Sequence, residues 1–190
     1  MKPPLLCCPP LIETLPQAIR GGGGSFGIVT STTVKTYPAP SSATIFQSNY
    51  QLTIEAATKA LDSFQRFAAS NIPATLGIEV TLGSGAPKGK IVFEVMGGWY
   101  GPSSDLDSVI RPFISTLPAP LWSKRTVGTY LDSTRTLAGG SLDISAPDKR
   151  DTFYAKSLIT PKNPPMDEKT RRAFITYLAN QEGLPVVCGL

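Results

Sequence analysis

TLGIEVTLGSGAPKGKIVFEVMGGWY, residues 75–100, decides the fold. Its two ends, 75–83 and 90–100, are rich in β-branched and aromatic residues. SGAPKG between them carries the Gly and Pro of a hairpin loop, so the two read as antiparallel neighbouring strands. On the N-terminal side, 44–50 reads as another strand. Residues 53–70 place Ile54, Ala57, Leu61, Phe64 and Ala68 at helical spacing, with Thr53 as the cap. Earlier still, FGIVTSTTVKTY (26–37) has strand composition and stops at the PAP turn of 38–40.

On the C-terminal side a helix is expected from near Ser104, with Asp107 placed for a capping-box contact and Pro112 interrupting it. KRTVGTYL (124–131) and DTFYAKSLIT (151–160) read as strands. Residues 166–183 read as a helix capped by Asp167 and stopped by Gly183, and the apolar LPVVCGL after it suggests the start of another strand. Strands outnumber helices and include a hairpin. The fold class is therefore α+β, an antiparallel or mixed sheet with helices packed on one face.

Composition narrows the function. Among 190 residues there are 18 basic and 14 acidic ones, net +4, with no basic stripe of the kind that tracks a phosphate backbone, so nucleic acid is not an expected partner. No apolar run approaches the roughly 20 residues that span a bilayer, so no membrane partner is expected. The sequence has no histidine, which removes the usual neutral-pH base and metal ligand. Cys7 and Cys8 with Cys188 give neither a disulfide framework nor a zinc site, so no metal residue is assigned. The N-terminal MKPPLLCCPPLIETLPQA is interrupted by prolines and lacks a clean cleavage site, and leaves the compartment undecided.

RGGGGSFGIVT, residues 20–30, poses the functional question. Gly22, Gly24 and Gly27 satisfy G-x-G-x-x-G, but no strand precedes them, a β-type segment follows, and the position about 20 residues on lies near Gln47 rather than an acid. The dinucleotide fingerprint is rejected. By composition alone the run is a linker. Joined directly to an apolar segment, it reads instead as backbone kept bare for the close approach of a second chain or a ligand.

AIRGGGGSFGIVTSTTVKTYPAP resembles a segment of the FAD-linked oxidases of the berberine-bridge and oligosaccharide-oxidase type, within the vanillyl-alcohol oxidase superfamily. LGIEVTLGSG, FEVMGGWYGP, VGTYLDS, DTFYAKSLITP and PMDEKT...FITYLANQEG resemble the same family's substrate-binding domain, in order and spacing, from about Ala18 to Gly183. The resemblance implies an irregular N-terminus and remnant of the FAD-binding domain in 1–37, and a substrate-binding-type α+β domain, incomplete at its C-terminus, in 38–190. It implies FAD contacts at Gly22, Gly23, Ser25, Gly27, Ile28 and Val29, and oxidation of a sugar or oligosaccharide hydroxyl by hydride transfer to the flavin.

Family members also carry an upstream His, often with a Cys, bonded to the flavin, and a downstream catalytic Tyr with its activating acid. Neither has a counterpart here, so no catalytic residue is assigned, retention of FAD by this chain is open, and a truncated member is expected. The alternative is a free-standing glycan-binding domain without flavin. The family suggests secretion. Glu79, Glu94 and Tyr100 are the candidate carbohydrate contacts, each against a solvated-surface reading, with Trp99 as a core residue. Tyr130 with Asp132 imitates an activated phenol if both share a strand face, and Tyr154 is ambiguous in the same way. Lys124, Arg125, Arg171 and Arg172 read as solvated surface. An exposed domain interface implies self-association.

Overall fold

Thr53 ends a strand and starts a helix in one step: its backbone is extended while its hydroxyl accepts a hydrogen bond from the Ala56 amide. The structure, a computed structural model, describes residues 28, 30, 31, 33–143, 165–181 and 186–189. The chain divides into two compact units, Met1–Pro38 and Ala39–Leu190. The elements belong to the second: β1 (Ala43–Thr53), α1 (Ile54–Ala69), β2 (Leu76–Gly85), β3 (Lys90–Trp99), a short 3₁₀ turn into α2 (Leu106–Ile114), β4 (Trp122–Gly128), α3 (Tyr130–Leu137), α4 (Glu168–Asn180) and β5 (Val186–Gly189).

The sheet order is β4-β1-β3-β2-β5, antiparallel throughout. From β1 to β4 the chain runs β-α-β-β-α-β with the strands of each βαβ unit split by a strand of the other, the ferredoxin-like arrangement. The α+β expectation is met, and the hairpin pairs Leu76 with Trp99 through to Gly85 with Lys90.

One sheet face is the core. Phe46, Tyr50 and Leu52 from β1, Ile78, Val80 and Leu82 from β2, and Ile91, Phe93 and Val95 from β3 pack against Leu61, Phe64 and Phe67 of α1, Ile110 and Phe113 of α2, and Ile175 and Leu178 of α4. Phe113 links the helices through its ring, stacked at 5.9 Å on Phe67 and tilted at 5.4 Å against Phe64. MGGWYG supplies the close fits. A Cβ on Gly97 would strike the Phe46 ring and lie 2.5 Å from the Gly77 carbonyl oxygen. One on Gly101 would lie 2.5 Å from the Trp99 ring. Trp99 itself is buried and donates its indole N–H to the Pro102 carbonyl at 2.8 Å.

Several expectations are corrected. The described part of 26–37 forms no strand; β-branched composition becomes a strand only where the backbone finds a ladder partner. The strand expected over 124–131 runs from Trp122 to Gly128. A helix follows it because Thr129 and Asp132 close a capping box, the hydroxyl and amide of Thr129 both donating to the Asp132 carboxylate. Asp107 makes no cap: it pairs with Arg125 of β4, and the residue at the N-cap is Asp105. Pro112 does not break α2, which ends two residues later at Ile114. Arg171 is not solvated surface; it is buried, pairs with Asp62 of α1 at 2.7 Å, and donates to the Met166 carbonyl. A buried guanidinium is tolerated only with such partners, so this pair ties α4 to α1. The expected strand at 151–160 and the stop at Gly183 lie outside the described residues.

Gly97→Ala is expected to lower stability by about 1–3 kcal/mol, because the Phe46 ring or the β2 backbone must shift to admit the methyl; urea unfolding measures it, and an unchanged midpoint would contradict the packing. The pH dependence has a fixed shape. Thr129 donors hold Asp132, the Thr170 amide holds Asp167, Arg125 holds Asp107 and Lys59 holds Glu55 below the usual carboxylate range. Folded-state values below the unfolded ones contribute stability above about pH 4 that is lost as pH falls further. Burial pushes the Tyr50 phenol up. Its contribution is full below about pH 10 and is lost as the pH rises through its folded value. With no histidine, the melting temperature should be flat between about pH 5 and 7 and fall below about 4; a transition inside that plateau would contradict it.

Candidate functional site

Among the described residues, the other sheet face carries a helix only at its β4 end, where α3 packs. Strand register sets its side chains in rows. One row runs Glu79 (β2), Met96 (β3), Gln47 (β1), Lys124 (β4); the next runs Thr81, Glu94, Asn49, Trp122; a third runs Gly77, Gly98, Ile45, Thr126. Gln47 donates its side-chain amide to the Glu94 carboxylate across the β1–β3 diagonal. That bond fixes which way the amide points and leaves the Gln47 carbonyl and the second carboxylate oxygen for a ligand. Glu79 stands diagonal to Glu94, about 7–8 Å away by antiparallel geometry.

Aromatic rings border the rows. A Cβ on Gly98 would lie 3.2 Å from the Tyr100 hydroxyl and 3.3 Å from Ile45 Cδ1, so the bare glycine is where the Tyr100 ring turns back over the sheet. Tyr100 meets Tyr130 at 5.9 Å with a 48° tilt. Trp122 is exposed at the end of its row. Between β1, β4 and the C-terminal turn of α3 lies a cavity of about 440 Å³ lined by Ile45, Gln47, Lys124, Thr126, Thr136 and the glycines 139 and 140.

The candidate carbohydrate contacts Glu79 and Glu94 are thus half-buried on this face, and Tyr100 borders it. Gln47, Asn49 and Lys124 join them although none was singled out for this role by sequence; the polar residues at alternate positions 47, 49 and 51 were the available signal. Tyr130 and Asp132 lie in the first turn of a helix rather than on a strand, and the Asp132 carboxylate is taken by Thr129 and Arg135, so the phenol is not activated by it. Of the six expected FAD contacts, Gly22, Gly23, Ser25, Gly27 and Val29 lie outside the described residues, as does Tyr154; Ile28 is described and its side chain is exposed.

A dinucleotide needs a seat for its diphosphate, usually free amides at a helix N-terminus. Thr53, Thr129 and Asp167 occupy the N-termini of α1, α3 and α4 by their own side chains, while α2 follows a 3₁₀ turn with Asp105 at its N-cap and no side-chain cap. Among the described residues no group of three or more His, Cys, Asp or Glu side chains could hold a metal ion, and no helix is long and apolar enough to cross a membrane. The face can present hydroxyl-reading carboxylates and amides beside rings that stack on a sugar. The capped N-termini of α1, α3 and α4 do not fit a diphosphate.

No family model matches the chain. A xylooligosaccharide oxidase of Thermothelomyces thermophilus is 31% identical over 153 residues, covering 78% of this chain and 29% of the relative. The solved glucooligosaccharide oxidase of Acremonium strictum superposes with a TM-score of 0.73 at 23% identity, over 90% of this chain and 34% of that one. A berberine bridge enzyme superposes with a TM-score of 0.55 at 23% identity, over 66% of this chain and 24% of that one. The last two likenesses are of fold. The chain spans about 30% of the length of the curated relatives it matches. The chain's sequence homologues are thus oligosaccharide oxidases, and its fold is the one that a glucooligosaccharide oxidase and a berberine bridge enzyme share with it.

Proposed function

We propose that this chain supplies the substrate-side wall of an FAD-dependent oxidoreductase that oxidises a sugar or oligosaccharide hydroxyl. The observation that carries the proposal is the sheet face opposite the core, where Gln47 donates to Glu94 beside Glu79, Lys124 and the Tyr100–Tyr130 ring pair. Homology to oligosaccharide oxidases supports the substrate class.

On this reading residues 1–37 border the flavin, with Gly22, Gly23, Ser25, Gly27, Ile28 and Val29 passing close to it, and residues 38–190 face the sugar. Bound FAD is the two-electron acceptor. The residues of this chain do the holding. Glu79, Glu94 and the Gln47 carbonyl accept hydrogen bonds from sugar hydroxyls, which orients the ring, and the aromatic pair covers its apolar face and excludes water. No proton-abstracting residue is assigned.

The side-chain caps on α1, α3 and α4 favour a second reading, a glycan-binding domain that functions without flavin.

Two measurements separate these. The full chain, titrated with xylo- and gluco-oligosaccharides while Trp122 fluorescence is followed, should saturate. Glu94→Gln and Gln47→Leu should each weaken binding about three- to tenfold with an unchanged melting temperature. Binding indifferent to both substitutions would reject the face as the site. Flavin absorption that survives dialysis supports the oxidase reading; a colourless chain that still binds the glycans supports the second.

A further inference from the structure

Resting on the reading of this face as a carbohydrate site, we infer that the cavity between β1, β4 and the end of α3 is a subsite selective for a carboxylate-bearing sugar unit, a uronate, with Lys124 as its cation.

The cavity is large enough. Its volume of about 440 Å³ falls within the roughly 300–1,000 Å³ of small-molecule sites. Gly139 and Gly140, just past the end of α3, take φ of +78° and +104°, a backbone that favours glycine, and face open space: a Cβ at either would meet no atom within 4 Å. Their amides are already committed, Gly140 to the Arg135 carbonyl at 2.8 Å and Gly139 to the Thr136 carbonyl at 3.2 Å, so the turn is a rigid rim and not a backbone anion nest.

The charge is unmatched. On β4 and α3 the other cations are paired, Arg125 with Asp107 and Arg135 with Asp132. Lys124 lines the cavity and has no carboxylate in salt-bridge range among the described residues. The acids of the same face stand back from it. Strand spacing puts Glu94 two strands away, about 10 Å, and Glu79 three strands away, about 14 Å. The row is therefore graded, acidic over β2 and β3 and basic over β4. A ligand lying across the strands meets hydroxyl acceptors at one end and an ammonium at the other.

Gln47 stands between the two ends. Its amide, held by Glu94, turns the remaining carbonyl into a fixed acceptor for a hydroxyl of the unit in the cavity. A neutral sugar leaves Lys124 solvated and gains only the hydroxyl contacts. A uronate adds a charge-assisted hydrogen bond in a partly enclosed space. The selectivity arises from that added attraction.

The test is isothermal titration of the full chain with xylotriose and with xylotriose carrying one glucuronate branch. The branched glycan should bind about five- to tenfold tighter, and the ratio should shrink at about 0.5 M NaCl as screening shortens the range of the charge. Lys124→Met should bring the ratio close to one, and Lys169→Met, at an exposed position of α4, should preserve the preference. Equal affinities in the unsubstituted chain, or a preference that survives Lys124→Met, would overturn the subsite while leaving the carbohydrate face standing. No binding of either glycan would overturn both.

Discussion

Strand β3 is paired along its whole length on both edges, Lys90 to Trp99 against β1 and against β2, and this double pairing constrains everything else. A strand so held has no freedom of register. Ile91, Phe93 and Val95 have no exposed surface, so a slip of one residue would put Phe93 into solvent and Glu94 into the core. The same alternation that packs Phe93 on the helices sets Glu94 and Met96 on the opposite face. Core and candidate site are two consequences of one period-two pattern.

Local chemistry was legible in the sequence wherever one segment contained both partners. Thr53 capping α1, Asp167 capping α4 and the hairpin over SGAPKG each rest on groups a few residues apart. The same kind of signal was present for α3, in the Thr129 and Asp132 pair, but the β-branched KRTV before it carried the reading on as strand. Gly128 marks the true end: a Cβ there would lie 2.9 Å from Asp132 Cβ, so the turn into the helix needs the glycine. Arg171 was illegible because its partner, Asp62, is supplied by a helix more than a hundred residues earlier.

The site was half legible for the same reason. Glu79, Glu94 and Tyr100 come from one hairpin, so their common neighbourhood could be read directly. Gln47 and Lys124 come from strands separated from it by helices, and only the order β4-β1-β3-β2 brings them into one row. Composition gives no access to that order. It follows from right-handed crossovers in two interleaved βαβ units, a property of the whole domain.

The division between faces also bears on how such a domain changes its ligand. The amides at the N-termini of α1, α3 and α4 are taken by side-chain caps, and the polar side chains of the candidate face stand on a sheet whose apolar core lies on the other face. Glu79, Glu94, Gln47 and Lys124 contribute nothing to the apolar core. They can be replaced at little cost to folding, whereas Phe46, Gly97 and Phe93 cannot vary without disturbing the packing of the core. Candidate site and core therefore occupy alternate residues of the same strands, and a scaffold arranged in this way can vary the residues of one face without altering its fold.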